Sequence, residues 1–96
     1  MSASTGSLVV VHQPESGRFE ISIGDMLAVA EYVRGVDELV LTRTFVPPAL
    51  RGRGLTEALV CAALDFARTE RLRVIPACSY VAAFVERHPD LVAPSE

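Results

Sequence analysis

The chain has no lysine and no tryptophan, only two cysteines and two histidines, and no unbroken apolar run longer than Ala58 to Leu64. Each shortage excludes something. A membrane-spanning helix needs about 20 consecutive apolar residues, so no span and no membrane partner are expected. The opening Met-Ser-Ala-Ser-Thr-Gly-Ser lacks the basic and apolar pattern of a secretion signal, so a cytoplasmic location is expected. Cys61 and Cys78 stand apart, without CxxC or Cys/His ligand spacing. They are too few for a disulfide framework and unsuited to a zinc site, so both read as free thiols and no metal is expected. Nine basic residues, all arginine, face twelve acidic ones, giving a net charge of −3 and an isoelectric point near 5.3. That sign opposes the broad cationic surface that nucleic acid requires.

What is present is the material of one folded domain, residues 1–96, with loose ends over 1–7 and 93–96. Half of the 96 residues are apolar and 22% are charged, far from the composition of disordered chains. A domain this small buries only about 60 to 65% of its unfolded surface, which leaves a thin stability margin. A homodimer interface would widen that margin.

Leu8 to His12 is an apolar run, and Arg18 to Ile23 alternates with period two, as a half-buried strand does. Gln13 to Gly17 forms the turn between them. Met26 to Val33 and Glu38 to Val46 read as two further strands, the second stopped by Pro47-Pro48, where two successive N–H donors are missing. This half is an antiparallel meander. Beyond Pro48 the period changes, with Leu55, Leu59, Ala62, Ala63, Phe66 and Ala67 recurring at helical spacing. A helix from Gly54 to Glu70 follows, then a short strand Leu72 to Ile75 closed by Pro76, then a second helix from Cys78 to His88 stopped by Pro89. The fold class is α+β in the order β-β-β-β-α-β-α.

The strongest local signal is Arg51-Gly52-Arg53-Gly54-Leu55-Thr56, which runs directly into the main helix. First-turn N–H groups of a helix have no internal acceptors and carry partial positive charge, and glycines let the backbone curl until several N–H groups converge on phosphate oxygens. Arg51 and Arg53 add charge there. The same residues also suit an ordinary strand-to-helix turn with its arginines in solvent. A Walker loop is excluded because it ends in Gly-Lys-Ser/Thr, and the dinucleotide fingerprint needs a glycine where Glu57 stands.

Arg51 to Thr56 resembles the Gln/Arg-x-x-Gly-x-Gly/Ala motif of the GCN5-related N-acetyltransferases, whose backbone N–H groups hold the pyrophosphate of acetyl-coenzyme A. The closer resemblance is to small, truncated members of about this length. In these a Val-x-Pro-x-x-Arg-Gly-x-Gly segment, here Val46 to Gly54, is followed one helix later by Pro-x-Cys-Ser-Tyr, here Pro76 to Tyr80, and then by Arg87-His88-Pro89. The resemblance covers nearly the whole chain. It implies a minimal fold of that family, acetyl-CoA as donor, and an amine acceptor that is a small molecule or a protein segment. It further implies that the Phe45-Val46 backbone pairs with the pantetheine arm, that the Val46 N–H faces the thioester oxygen, and that Arg51, Gly52, Arg53, Gly54, Leu55 and Thr56 hold the phosphates. Pro47 and Pro48 leave no competing donors beside them.

The departures from the family pattern are specific. Thr56 replaces Gly or Ala at the last motif position, adding bulk and a hydroxyl. Only Gln13 to Gly17 stands where full-length members place two helices, which leaves the acceptor side open. Val85 occupies the position of the usual general-acid tyrosine, and Arg43 stands where truncated relatives tend to carry His.

Cys78 begins the second helix, where the dipole stabilises a thiolate. It either accepts the acetyl group and passes it on, lines the cofactor channel, or is a small buried hydrophobe. Tyr80 either protonates the departing thiolate or packs with its hydroxyl tied locally. His88 suits helix capping, His12 a structural role, and Cys61 no chemistry. Three functions are in contention: an acetyl-CoA-dependent N-acetyltransferase, a non-catalytic coenzyme A-binding module that the missing tyrosine favours, and a redox-responsive thiol protein centred on Cys78.

Overall fold

The computed structural model describes residues 9–88. The expected loose ends at 1–7 and 93–96, and Pro89, lie outside these residues. The strands are β1 (Val11–Gln13), β2 (Arg18–Ile23), β3 (Met26–Arg34), β4 (Glu38–Phe45) and β5 (Arg73–Pro76); the helices are α1 (Leu55–Glu70) and α2 (Ser79–Arg87). A single 3-10 turn, Pro48–Leu50, links β4 to the glycine loop. The element order is the one expected from the sequence, with an α+β architecture.

The five strands form one sheet in chain order, antiparallel through β4 and parallel from β4 to β5. Short turns suffice for the meander, whereas the parallel β4–β5 pair needs a crossover, which α1 supplies. Alternation in β2 and β3 puts Phe19, Ile21, Ala28, Ala30 and Tyr32 on the inner face. There they join Leu39 and Leu41 of β4 and Leu59, Val60, Ala63 and Leu64 of α1 in one buried cluster, to which α2 adds Val81 and Phe84. Burying side chains of this kind stabilises the fold by roughly 1.5 to 3 kcal/mol each against exposure.

The opposite face of the sheet is different. Leu27, Val33 and Phe45 are exposed and lie outside the core cluster, beside the ion pairs Glu31–Arg43 and Glu38–Arg73 that bridge neighbouring strands. The residues between β1 and β2 make only a turn, with Ser16 and Gly17 amides bonded to Gln13 and Pro14 carbonyls.

Element boundaries shift from the sequence expectation, most by a single residue, and two of the shifts are informative. The first strand begins at Val11, later than the apolar run suggested, and Leu8 lies outside the described residues. Pro76, expected to close β5, is its last paired residue, opposite Leu41. The strand is at the sheet edge, where a missing N–H is tolerated, and the Leu41 carbonyl takes its hydrogen bond from the Cys78 amide instead, at 3.0 Å.

His12 has the structural role expected of it. Its ring stacks on Phe19 at 4.1 Å, meets Phe66 edge-on at 4.5 Å, and bonds through Nε2 to the Tyr32 hydroxyl.

Candidate functional site

β4 outruns its parallel neighbour. Pairing with β5 ends at Leu41 and Pro76, yet β4 continues to Phe45, so its last residues have no strand on that side. The chain then turns through Pro48–Leu50, with Leu50 only 2% exposed, and that buried leucine pins the glycine loop to the core.

Gly52 and Gly54 take φ of 83° and 78°, the left-handed region that costs other residues about 1 to 2 kcal/mol. A Cβ at either position would meet nothing within 4 Å; the glycines are required by backbone shape and face open space. Gly54 is the N-cap of α1 and has no side chain with which to cap it. The first amide to bond in the ordinary helical way is that of Ala58, to the Gly54 carbonyl at 3.1 Å. Among the described residues, the amides from Gly52 to Glu57 find no protein acceptor. An uncapped helix start of this kind is a ready anion site.

These elements enclose a cavity of about 610 Å³. Of the candidate residues taken from the sequence, Phe45, Val46, Arg51, Gly52, Gly54, Leu55, Thr56 and Tyr80 line it, whereas Arg53 and Cys78 do not. Arg53 is exposed on the loop. The Arg51 Nε–H donates to the Val46 carbonyl oxygen at 2.9 Å, which ties the loop to the strand end. Tyr80 is 43% exposed, and its hydroxyl has no protein partner among the described residues.

Cys78 is the N-cap of α2, with its sulfur 3.8 Å from the hydroxyl of Thr44, a lining residue. Burial pushes the thiol up. The Val81 amide, the Thr44 side chain and the backbone of Tyr80 and Thr44 outweigh it, leaving the thiol below its ordinary value. Cys61 is exposed on α1 and moves the other way, pushed up first by desolvation and then by the Glu57 carboxylate. His88 ends α2 with its backbone amide bonded to Phe84 and Val85 carbonyls, while its ring packs on Phe84 at 4.5 Å.

Three lining residues escaped the sequence reading: Thr44, Leu50 and Glu57. Leu50 carried a weak signal, as the last apolar residue before the Arg-Gly-Arg-Gly loop. Glu57 belonged to the polar stripe of α1 and carried none that pointed to the cavity.

A meander, a crossover helix that opens on glycines, and a cleft where β4 outlasts β5 together define a domain of acetyltransferase type. The profile of the GCN5-related N-acetyltransferases matches residues 18–93. Protein NATD1 of Xenopus tropicalis is 32% identical over 89 residues, covering 88% of this chain and 81% of that protein. Protein NATD1 of Mus musculus is 33% identical over 88 residues, covering 88% and 79%. With Protein NATD1 of Bos taurus the identity is 46% over 59 residues, and that alignment spans 62% of this chain and only 51% of the relative. The chain belongs to the GCN5-related N-acetyltransferase family.

Proposed function

We propose that the protein binds acetyl-CoA at the start of α1 and transfers its acetyl group to an amine, with Cys78 as relay nucleophile. One observation carries the reading: the unbonded amides from Gly52 to Glu57 open onto a cavity beside the free end of β4. The residues present fit the donor. Uncapped amides and the nearby arginines suit a diphosphate, and the unpaired edge of β4 suits an extended amide-containing arm. When bound, acetyl-CoA supplies an acyl group activated as a thioester.

The chain's own residues then have distinct tasks. Gly52, Gly54, Leu55 and Thr56 present amides to the phosphates, and Phe45 and Val46 offer backbone groups to the arm. Arg53 adds long-range attraction in an otherwise acidic protein. Cys78, whose thiol the Val81 amide and the Thr44 side chain hold below its ordinary value, attacks as thiolate, forming a new S–C bond as the thioester's own C–S bond breaks. Tyr80, with a free hydroxyl at the cavity, gives a proton to the departing sulfur. A neutral amine, entering from the open side of the sheet, displaces Cys78 in turn: its N–C bond forms as the Cys78 S–C bond breaks, its proton returns to the Tyr80 oxygen, and Cys78 is left as thiolate.

The test is release of free coenzyme A from acetyl-CoA with an amine acceptor, combined with mass spectrometry. A mass gain of about 42 Da on Cys78, one acetyl on a thiol nucleophile, is expected before acceptor is added. Turnover without that adduct would remove Cys78 from the route. Tight binding without turnover would assign the chain to the non-catalytic coenzyme A-binding reading.

A further inference from the structure

The Thr44–Cys78 contact depends on one extra residue in β4. Tyr32 pairs with Leu41, but the next residue back on β3, Glu31, pairs with Arg43. Thr42 therefore has no opposite number, and its hydroxyl bonds to the Glu31 carbonyl at 3.3 Å. A bulge of this kind shifts the phase of the strand. Leu39 and Leu41 face the core before it; unbroken alternation would bring Arg43 and Phe45 to that face and turn Thr44 away. After the bulge it is Thr44 and Val46 that turn inward, while Arg43 and Phe45 are exposed.

Cys78 is held by its own amide, bonded to the Leu41 carbonyl just before the bulge. One short stretch of β4 thus fixes both the Cys78 backbone and the hydroxyl that meets its sulfur at 3.8 Å. Thr44 also lines the cavity, and the sulfur it meets belongs to a residue just outside that lining.

We propose that Thr44 is a positioning residue for Cys78, its hydroxyl accepting from the thiol and rotating to donate to the thiolate, so that the sulfur is held against the cavity wall in its reactive form. This rests on the reading of Cys78 as relay nucleophile. The proton released on ionisation goes to solvent, and no bond between heavy atoms changes. Thr44 is the one side chain that lowers the thiol; the other lowering groups are backbone, and no charged side chain contributes. Loss of this hydroxyl therefore has no neighbouring side chain to mask it.

The experiment uses the full chain carrying Cys61→Ser, so that Cys78 is the sole thiol. Thiolate absorbance and the rate of iodoacetamide alkylation are followed against pH, without acetyl-CoA, in the parent, Thr44→Val and Thr44→Ser. Valine keeps the volume and removes the donor. Thr44→Val is expected to move the titration midpoint up and to slow alkylation at neutral pH by about threefold or more, since reactivity follows the thiolate fraction; Thr44→Ser should titrate like the parent. An unmoved midpoint in Thr44→Val, or an equal shift in Thr44→Ser, would overturn the proposal. If Thr44→Val does not fold, Thr44→Ala removes the same donor without adding bulk, and the same two outcomes apply. Failure of the relay is read separately: a shifted midpoint with no acetyl adduct on Cys78 supports the Thr44–Cys78 coupling and removes the relay.

Discussion

Arg51 reaches back across Pro47 and Pro48 to donate its Nε–H to the Val46 carbonyl oxygen at 2.9 Å. The end of β4 and the start of the glycine loop are thereby held as one piece. A hydrogen bond from a charged donor contributes about 1.5 to 3 kcal/mol, less where the group is exposed. Arg51→Ala should cost about 1 kcal/mol, lowering Tm by about 4 to 8 °C for a domain of this size, and should weaken acetyl-CoA binding. Arg51→Lys restores the charge but lacks the Nε donor, so it should recover part of the binding and little of the stability. Thermal unfolding and calorimetry on both variants check this; a lysine variant as stable as the parent would show that the bond to Val46 contributes nothing.

Glu57 stands in the first turn of α1 and also lines the cavity, so its two effects have opposite sign. Its carboxylate favours the helix dipole by roughly 0.3 to 1 kcal/mol while repelling an anionic ligand. Glu57→Gln should lower stability by about 0.5 kcal/mol and tighten acetyl-CoA binding by about twofold or more. It should also bring the Cys61 thiol back toward its ordinary value, because Glu57 is one of the groups that raise it. Weaker binding in this variant would place the carboxylate in a supporting role.

The two cysteines should differ in the order opposite to their exposure. Cys61 is the more exposed, yet its thiol is pushed up while that of Cys78 is held down. At neutral pH a limiting amount of iodoacetamide should label Cys78 first, as peptide mass spectrometry would show. Faster labelling of Cys61 would mean that access, and not ionisation, governs the site.

Acid should loosen the edge of the sheet through His12. Burial holds its pKa below the ordinary value of 6.5, so the unfolded chain takes the proton first. The contribution of neutral His12 is complete above pH 6.5 and is lost progressively as pH falls from there through the lower folded-state value. Denaturant midpoints measured between pH 8 and 5 (conditions chosen to bracket about 6.5) should fall toward acid, and His12→Phe should flatten that fall. A His12→Phe profile as steep as that of the parent would assign the dependence elsewhere.

Most of the architecture is legible in the chain because it rests on local pattern. Arg18 to Ile23 alternates strictly and is β2 with the boundaries read from the sequence; the helical spacing from Leu55 to Ala67 gives α1 to within a residue. The glycine loop was legible for the same reason, since Gly52 and Gly54 mark backbone that other residues avoid. Thr44 was not. Its inward orientation follows from the bulge at Thr42, and Thr-Arg-Thr contains no glycine, proline or break in polarity to announce one. The contact with Cys78 spans 34 residues, a separation at which only the parallel β4–β5 register decides which side chains meet. Pro76 ends β5 as read from the sequence, but from inside the strand, because at a sheet edge its missing donor leaves the Leu41 carbonyl to Cys78.

The most direct test is calorimetric titration of acetyl-CoA into the parent chain and into Gly54→Asp. Aspartate tolerates the left-handed backbone better than most residues and places a carboxylate where open space now lies in front of the free amides. Saturable binding in the parent and at least about tenfold weaker binding in the folded variant are expected, from repulsion of the diphosphate. Equal affinity in the two proteins would contradict the assignment of the α1 N-terminus as the diphosphate site.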